Sequence, residues 1–287
     1  MENISYEGHE CAQYSNGTID LLVPKHFGPR VLFAGFKGGK NMFGVVPDVS
    51  LKTPFGLWKI HGGHRLWTAP EIMPDTYYPD NDDVLIEERG RDLVVSQSQR
   101  KINIRKEIVL SFQGKNKVKV THNVYNTGSQ PKEFAVWALS LMRTGGFAIV
   151  PQSTEKEDKG GFLPNRNIVL WTYTDVADKR FKPTPKFYFV KQGDAPKPFK
   201  VGQRIPLGWA AYCNGGDLFV KRFKFEPGQT YPDFQSNVEI YSCGKFLEVE
   251  TISPLATIDG GNVHTYVETW EFYKNKKIAF GDERIKI

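Results

Sequence analysis

Two of the six histidines, an arginine and a tryptophan fall within seven positions, His61-Gly62-Gly63-His64-Arg65-Leu66-Trp67. Trp58 precedes this run, and Thr68-Ala69-Pro70-Glu71, Tyr77 and Tyr78 follow it. Paired glycines allow a backbone to approach a ligand closely, and His and Arg side chains offer several hydrogen-bond donors. Sugars are held by this mixture: aromatic rings cover C–H patches while planar charged groups bind pairs of hydroxyls. The alternative is a glycine-rich turn whose Arg and Trp brace a sheet. His61 and His64 have a spacing compatible with a metal, but no third ligand is identifiable, so no metal is expected.

A second constellation is Phe246-Leu247-Glu248-Val249-Glu250-Thr251. In a strand, successive side chains alternate, so Glu248 and Glu250 share one face and Leu247 and Val249 take the other. The apolar pair is expected to face the core, leaving two carboxylates able to accept sugar hydroxyls or to act as a base. In residues 264–273, the same alternation puts His264, Tyr266, Glu268, Trp270 and Phe272 on one side. That mixed face suits a cleft, and equally a sheet edge packed under a loop. Lys221 shares a side with Phe219 and Phe223, either as a snorkelling stem or as a cleft cation. His122 alternates with Val118, Val120 and Val124 and reads as a core histidine.

These residues must be positioned by strands. Helical periodicity is nearly absent, whereas short alternating runs recur between Gly, Pro, Asn and Asp clusters. A dozen or more strands without helices imply an all-β fold of two large packed sheets or a barrel, read here as a single domain over 1–287. Residues 46–83 and 151–166 read as long loops, the first functional and the second a polar surface segment.

Composition narrows the function classes. Hydrophobic residues at 40% and aromatics at 13% supply a large core. The surplus of 38 Lys and Arg over 32 Asp and Glu is spread along the chain, so a nucleic-acid-binding face is not expected. The first ten residues lack a basic and apolar leader pattern, and no run approaches the roughly 18 apolar residues of a membrane helix. A cytoplasmic location without a membrane partner is the expectation. Cys11, Cys213 and Cys243 are far apart and read as small buried hydrophobes. Nucleophile elbows, Walker loops and dinucleotide fingerprints are missing, so no cofactor is expected.

Gly28-Pro29-Arg30-Val31-Leu32 with Gly38-Gly39-Lys40-Asn41 resembles the opening strands of the galactose mutarotase (aldose 1-epimerase) superfamily. Ile60-His61-Gly62-Gly63 is similar to its His-Gly-Gly motif, and Phe246 to Thr251 to the strand bearing its catalytic glutamate. The run from Gly62 to Glu71 and the run from Glu248 to Leu255 resemble, more closely, a related bacterial family of unknown function. Tyr231-Pro232-Asp233 and Glu268-Thr269-Trp270 fit the same pattern. The resemblance implies a β-supersandwich of two mainly antiparallel sheets with a carbohydrate cleft. It implies a Glu250 or Glu248 base that takes the anomeric proton and a His64 or His61 acid for the ring oxygen, with His64 the nearer match. Arg65, Trp67, Tyr77, Tyr78, Lys221 and His264 would bind the substrate, a mono- or oligosaccharide. One departure stands out: the second, mid-chain histidine of mutarotases has no counterpart in Phe134-Ala135-Val136-Trp137-Ala138-Leu139-Ser140. The expectation is therefore a carbohydrate-binding protein with aldose 1-epimerase-like isomerase chemistry. The alternatives are a non-catalytic binder, or a lyase or hydrolase of the same fold. A hydrolase needs two carboxylates facing each other across the scissile bond, which neighbours on one strand do not provide.

Overall fold

The computed structural model describes residues 1–286. Its core lies between two sheets. One has ten strands, among them Ile104–Phe112, Lys117–Asn126, Asp217–Phe223 and Val263–Tyr273. The other has eight. Its main path runs Val169–Leu170, Phe199–Gln203, Val238–Ser242, Leu247–Ile252, Lys132–Met142, His64–Ala69, Arg30–Val31, with Ala256–Ile258 pairing to one side. Pairings along this path are antiparallel. The all-β, two-sheet expectation holds.

Alternation decides which side chains fill the space between the sheets. From the eight-stranded sheet come Val136, Ala138, Val201, Ile240, Leu247 and Val249; from the other come Ile108, Val120, Phe219, Trp270 and Phe272. Leu247 and Val249 thus face the core as their sequence pattern required. The aromatic side of Val263–Tyr273 also faces the core: Trp270 and Phe272 are buried there. A second apolar cluster, with Trp58, Trp67, Trp137, Leu139 and Phe246, covers the outer face of the eight-stranded sheet.

Residues 46–83 depart from the expected loop. Val45–Thr53 pairs with Gly56–Gly62 as a hairpin, and His64–Ala69 joins the eight-stranded sheet. Gly62 and Gly63, with φ of 103° and 71°, form the crossing between these strands. A Cβ on Gly62 would lie 2.2 Å from the Gly44 carbonyl, and one on Gly63 2.3 Å from that of Val31. The glycine pair therefore admits the chain's own backbone, which corrects its reading as a ligand-approach site. Residues 152–168 form an irregular, mostly exposed segment as expected. Cys11 and Cys213 are buried, Cys243 is half-buried, and all three are free. Among the described residues, no helix is long and apolar enough to cross a membrane.

Candidate functional site

The outer face of the eight-stranded sheet carries a cleft of about 370 Å³, within the range of small-molecule sites. Strand register explains its floor. Glu239 lies opposite Glu250, Tyr241 opposite Glu248 and Lys200 opposite Tyr241. Leu139 lies opposite Glu250 and Arg65, and Trp137 opposite Trp67. Residues paired across strands project to the same face, so five strands deliver these groups together. The walls are Trp58, Trp67, Tyr77, Trp171, Tyr173 and Phe246.

Charges on this floor are paired inside the protein. Arg65 Nη1 donates to Glu248 Oε1, and its guanidinium stacks 4.4 Å from the Trp67 ring. Lys200 Nζ lies 2.6 Å from Glu239 Oε2 and 3.3 Å from Glu250 Oε2. The same ammonium sits between the rings of Trp137 and Trp171, at 4.6 and 4.5 Å. Trp171 reaches this position because residue 202 is glycine: a Cβ there would meet the indole at 3.2 Å and Ser236 Oγ at 2.5 Å. Trp137 Nε1 donates to Glu250 Oε2 across 3.0 Å.

Burial raises the Glu250 carboxyl to about 7, against the pull of the Lys200 ammonium. Burial also raises Glu239, well above its ordinary value, although Lys200 opposes it. For Lys200, burial favours the neutral amine, but Glu239 and Glu250 outweigh it and hold the ammonium above its ordinary value. The floor thus holds a carboxyl poised near neutrality beside a charged ammonium.

The structure brings Glu248, Glu250, Arg65, Trp67 and Tyr77 together in this cleft. Both histidines expected beside them are elsewhere, and alternation is the reason. Trp58 and Ile60 face the cleft, so His61 points away, stacked 4.0 Å from Phe27 and bonded to Asn81 at 3.1 Å. Burial and the Arg30 charge lower His61 to about 4. Arg65 and Trp67 face the cleft, so His64 points into the core with no solvent exposure. Tyr78 packs against Phe55 outside the cleft. His264 contacts Ser253 and the Pro254 carbonyl at 3.0 Å each. Lys221 is buried between the sheets, donating to the Ala138 and Val249 carbonyls and lying 3.2 Å from Glu268.

His64, His122 and Glu268 form a core cluster whose donor atoms lie within 4.8 Å of one another. Their hydrogen bonds fix the tautomers. His122 Nδ1 donates to the Tyr266 carbonyl at 3.3 Å, so its Nε2 accepts from His64 Nε2 at 2.8 Å. His64 Nδ1 then accepts from Ser140 Oγ at 2.9 Å. Burial keeps both rings neutral, lowering His122 to about 4. Lys221 supplies the positive charge beside Glu268. His122 is thus the bonded core histidine its strand pattern indicated.

Lys200, Glu239, Trp171 and Tyr173 were missed by sequence reasoning. Lys200 follows a Pro- and Lys-rich stretch with no clear alternation; Glu239 lies on the strand Val238–Ser242, and its alternation with Tyr241 was the available signal.

No protein-family profile matches the chain, and no curated protein matches it. Solved structures do. A galactose mutarotase related enzyme from Lactobacillus acidophilus matches with TM-score 0.57 at 8% identity, over 93% of this chain and 98% of that one. The Slr1438 protein from Synechocystis sp. PCC 6803 matches at 0.59 and 10% identity, over 96% and 100%. A TPR-domain containing protein from Parabacteroides distasonis matches at 0.61 and 14% identity; the match covers 97% of this chain and 49% of that one, about half its length. With two large antiparallel sheets and structural neighbours of this kind, the chain has the galactose mutarotase-like fold.

Proposed function

We propose that the cleft binds a saccharide and that Glu250 acts on it as the base of an aldose 1-epimerase-like anomer exchange. The observation that carries this reading is the Glu250 carboxyl, set at the cleft floor beneath aromatic walls and poised at about 7. A base is most effective when its proton affinity matches the working pH. The indoles of Trp58, Trp67 and Trp171 offer flat apolar faces for sugar C–H groups. Arg65 lines the cleft with its guanidinium beside the Trp67 ring and brings a charged donor group to that wall. Glu250 takes the proton of the anomeric hydroxyl, the C1–O5 bonding pair moves onto O5, which gains a proton as the aldehyde forms, and reclosure on the other face with both protons returned gives the other anomer. The likeness to a galactose mutarotase related enzyme supports the fold on which this chemistry would run.

A second reading, saccharide binding without turnover, is favoured by one specific observation: among the described residues, no histidine lines the cleft. Two-carboxylate hydrolysis is disfavoured, because Glu248 and Glu250 share one strand face and Glu248 is occupied by Arg65.

Proton NMR of freshly dissolved α-D-glucose and α-D-galactose separates the two. Faster anomer equilibration with the wild-type chain, lost in Glu250→Gln, supports the isomerase. Saturable binding of either sugar without acceleration supports the binder, and neither effect removes the saccharide reading for these sugars.

A further inference from the structure

An ion pair needs one carboxylate, yet Lys200 has two. Glu239 and Glu250 face each other across adjacent strands, and Lys200 reaches both from a third strand. Were all three groups charged, the buried cluster would carry a net negative charge beneath two indoles. One carboxyl therefore retains its proton. Glu239 is the one without access to a ligand: it is fully buried, and the cleft is lined by Lys200 and Glu250. Glu248, Arg65, Glu71, Asp233, Tyr173 and Lys221 are the other titratable and charged groups felt by this trio, and Tyr241 lies opposite Lys200.

We infer that Lys200 and Glu239 together provide the acid for the sugar ring oxygen, Lys200 touching the substrate and Glu239 holding the proton that restores it. This rests on the saccharide reading of the cleft and fills the role for which no histidine is present there. As Glu250 takes the proton from O1, the C1–O5 bonding pair moves onto O5 while O1 and C1 form the aldehyde. O5 takes a proton from Lys200 Nζ, and the Glu239 carboxyl passes its own proton to the amine. The cluster begins as protonated Glu239, charged Lys200 and ionised Glu250. It ends as ionised Glu239, charged Lys200 and protonated Glu250. Its net charge is zero in both states, so a buried site moves two protons without creating a new charge. Rotation about C1–C2 and the reverse steps close the ring on the other face. Glu239 is a positioning residue in this scheme, because it acts only through Lys200.

The test is anomer exchange of galactose by NMR across pH 5–10, with turnover and KM measured for the wild type, Glu239→Gln, Lys200→Arg and Glu250→Gln. Glu239→Gln keeps the shape and keeps the ion partner uncharged. It is expected to retain KM, lose about tenfold to a hundredfold in turnover, and lose the alkaline fall that ionisation of Glu239 causes in the wild type. Lys200→Arg keeps the charge but cannot give up its proton, so it too should retain binding and lose turnover. Glu239→Asp, which still carries a proton, should recover part of the rate. Unaltered turnover and alkaline limb in Glu239→Gln, with Glu250→Gln inactive, overturns this inference alone. A change in KM without a change in turnover also overturns it, since that marks a structural role. Absence of exchange in the wild type overturns both this inference and the isomerase reading beneath it.

Discussion

Trp137 and Glu250 sit on neighbouring strands two residues out of register, and the indole nitrogen reaches diagonally to bond the carboxylate at 3.0 Å. Trp137 packs its ring against Lys200 and Trp67 at the same time. One side chain thus sets the surroundings of the carboxylate and of the cation. Removing only its donor tests the first role. Trp137→Phe is expected to weaken the ionised form of Glu250, so the acid limb of exchange moves to higher pH and the rate at pH 7 falls about three- to tenfold. The orphaned acceptor costs roughly 1–3 kcal/mol of stability. A pH–rate profile and a urea melt read the two effects separately.

Glu250 should also make the fold pH-sensitive. Its carboxyl titrates at about 7 in the folded chain against an ordinary 4.5. Between those values the folded state holds a proton the unfolded state has lost, so this group's contribution to stability declines as pH rises through the window. Above pH 7 the penalty is complete. Glu250→Gln removes it, at the cost of one partner for Lys200, and should gain about 1–2 kcal/mol at pH 8 and almost nothing at pH 4. Urea midpoints at those two pH values check the sign.

The core histidines run the other way. His122, lowered to about 4 by burial against Glu268, favours folding above its ordinary 6.5, and that contribution is lost as pH falls toward 4. Its window overlaps that of Glu250 with opposite slope, so the wild type should be flatter between pH 4.5 and 6.5 than Glu250→Gln, whose stability should climb with pH. Denaturant titration of both proteins across this range decides the point.

Ser140→Ala leaves His64 Nδ1 without its donor in a dry core and should cost about 1–3 kcal/mol. The side chain lies on the core side of its strand, so saccharide affinity should be unchanged. Loss of affinity at unchanged stability would contradict the placement of His64.

Arg65 and Glu248 are both buried and bonded to each other. Arg65→Met strands a carboxylate and should destabilise by about 3–5 kcal/mol; adding Glu248→Met should recover most of that. Thermal melts of the single and double variants test the coupling, and binding should be lost in both.

Much of the fold and part of the site could be read from period-two alternation. It correctly placed Glu248 and Glu250 together with Leu247 and Val249 behind them. The same rule, applied to His64–Ala69, separates His64 from Arg65 and Trp67; treating that run as one cluster obscured it. Lys200, Glu239 and Trp171 were harder. They meet through the pairing of Val169–Leu170, Phe199–Gln203, Val238–Ser242 and Leu247–Ile252, and register between strands distant in sequence is set by whole-sheet packing rather than by local pattern.

Leu247–Ile252 has a neighbour on each side and packs the core through its rear face. Its amide hydrogens should therefore exchange only when the whole molecule opens, at the slowest rate in the chain. A ligand seated on Glu250 would then report on the entire fold: each increment of occupancy is felt as protection throughout both sheets. Under this coupling, melting-temperature shifts across a saccharide panel become a direct affinity ranking.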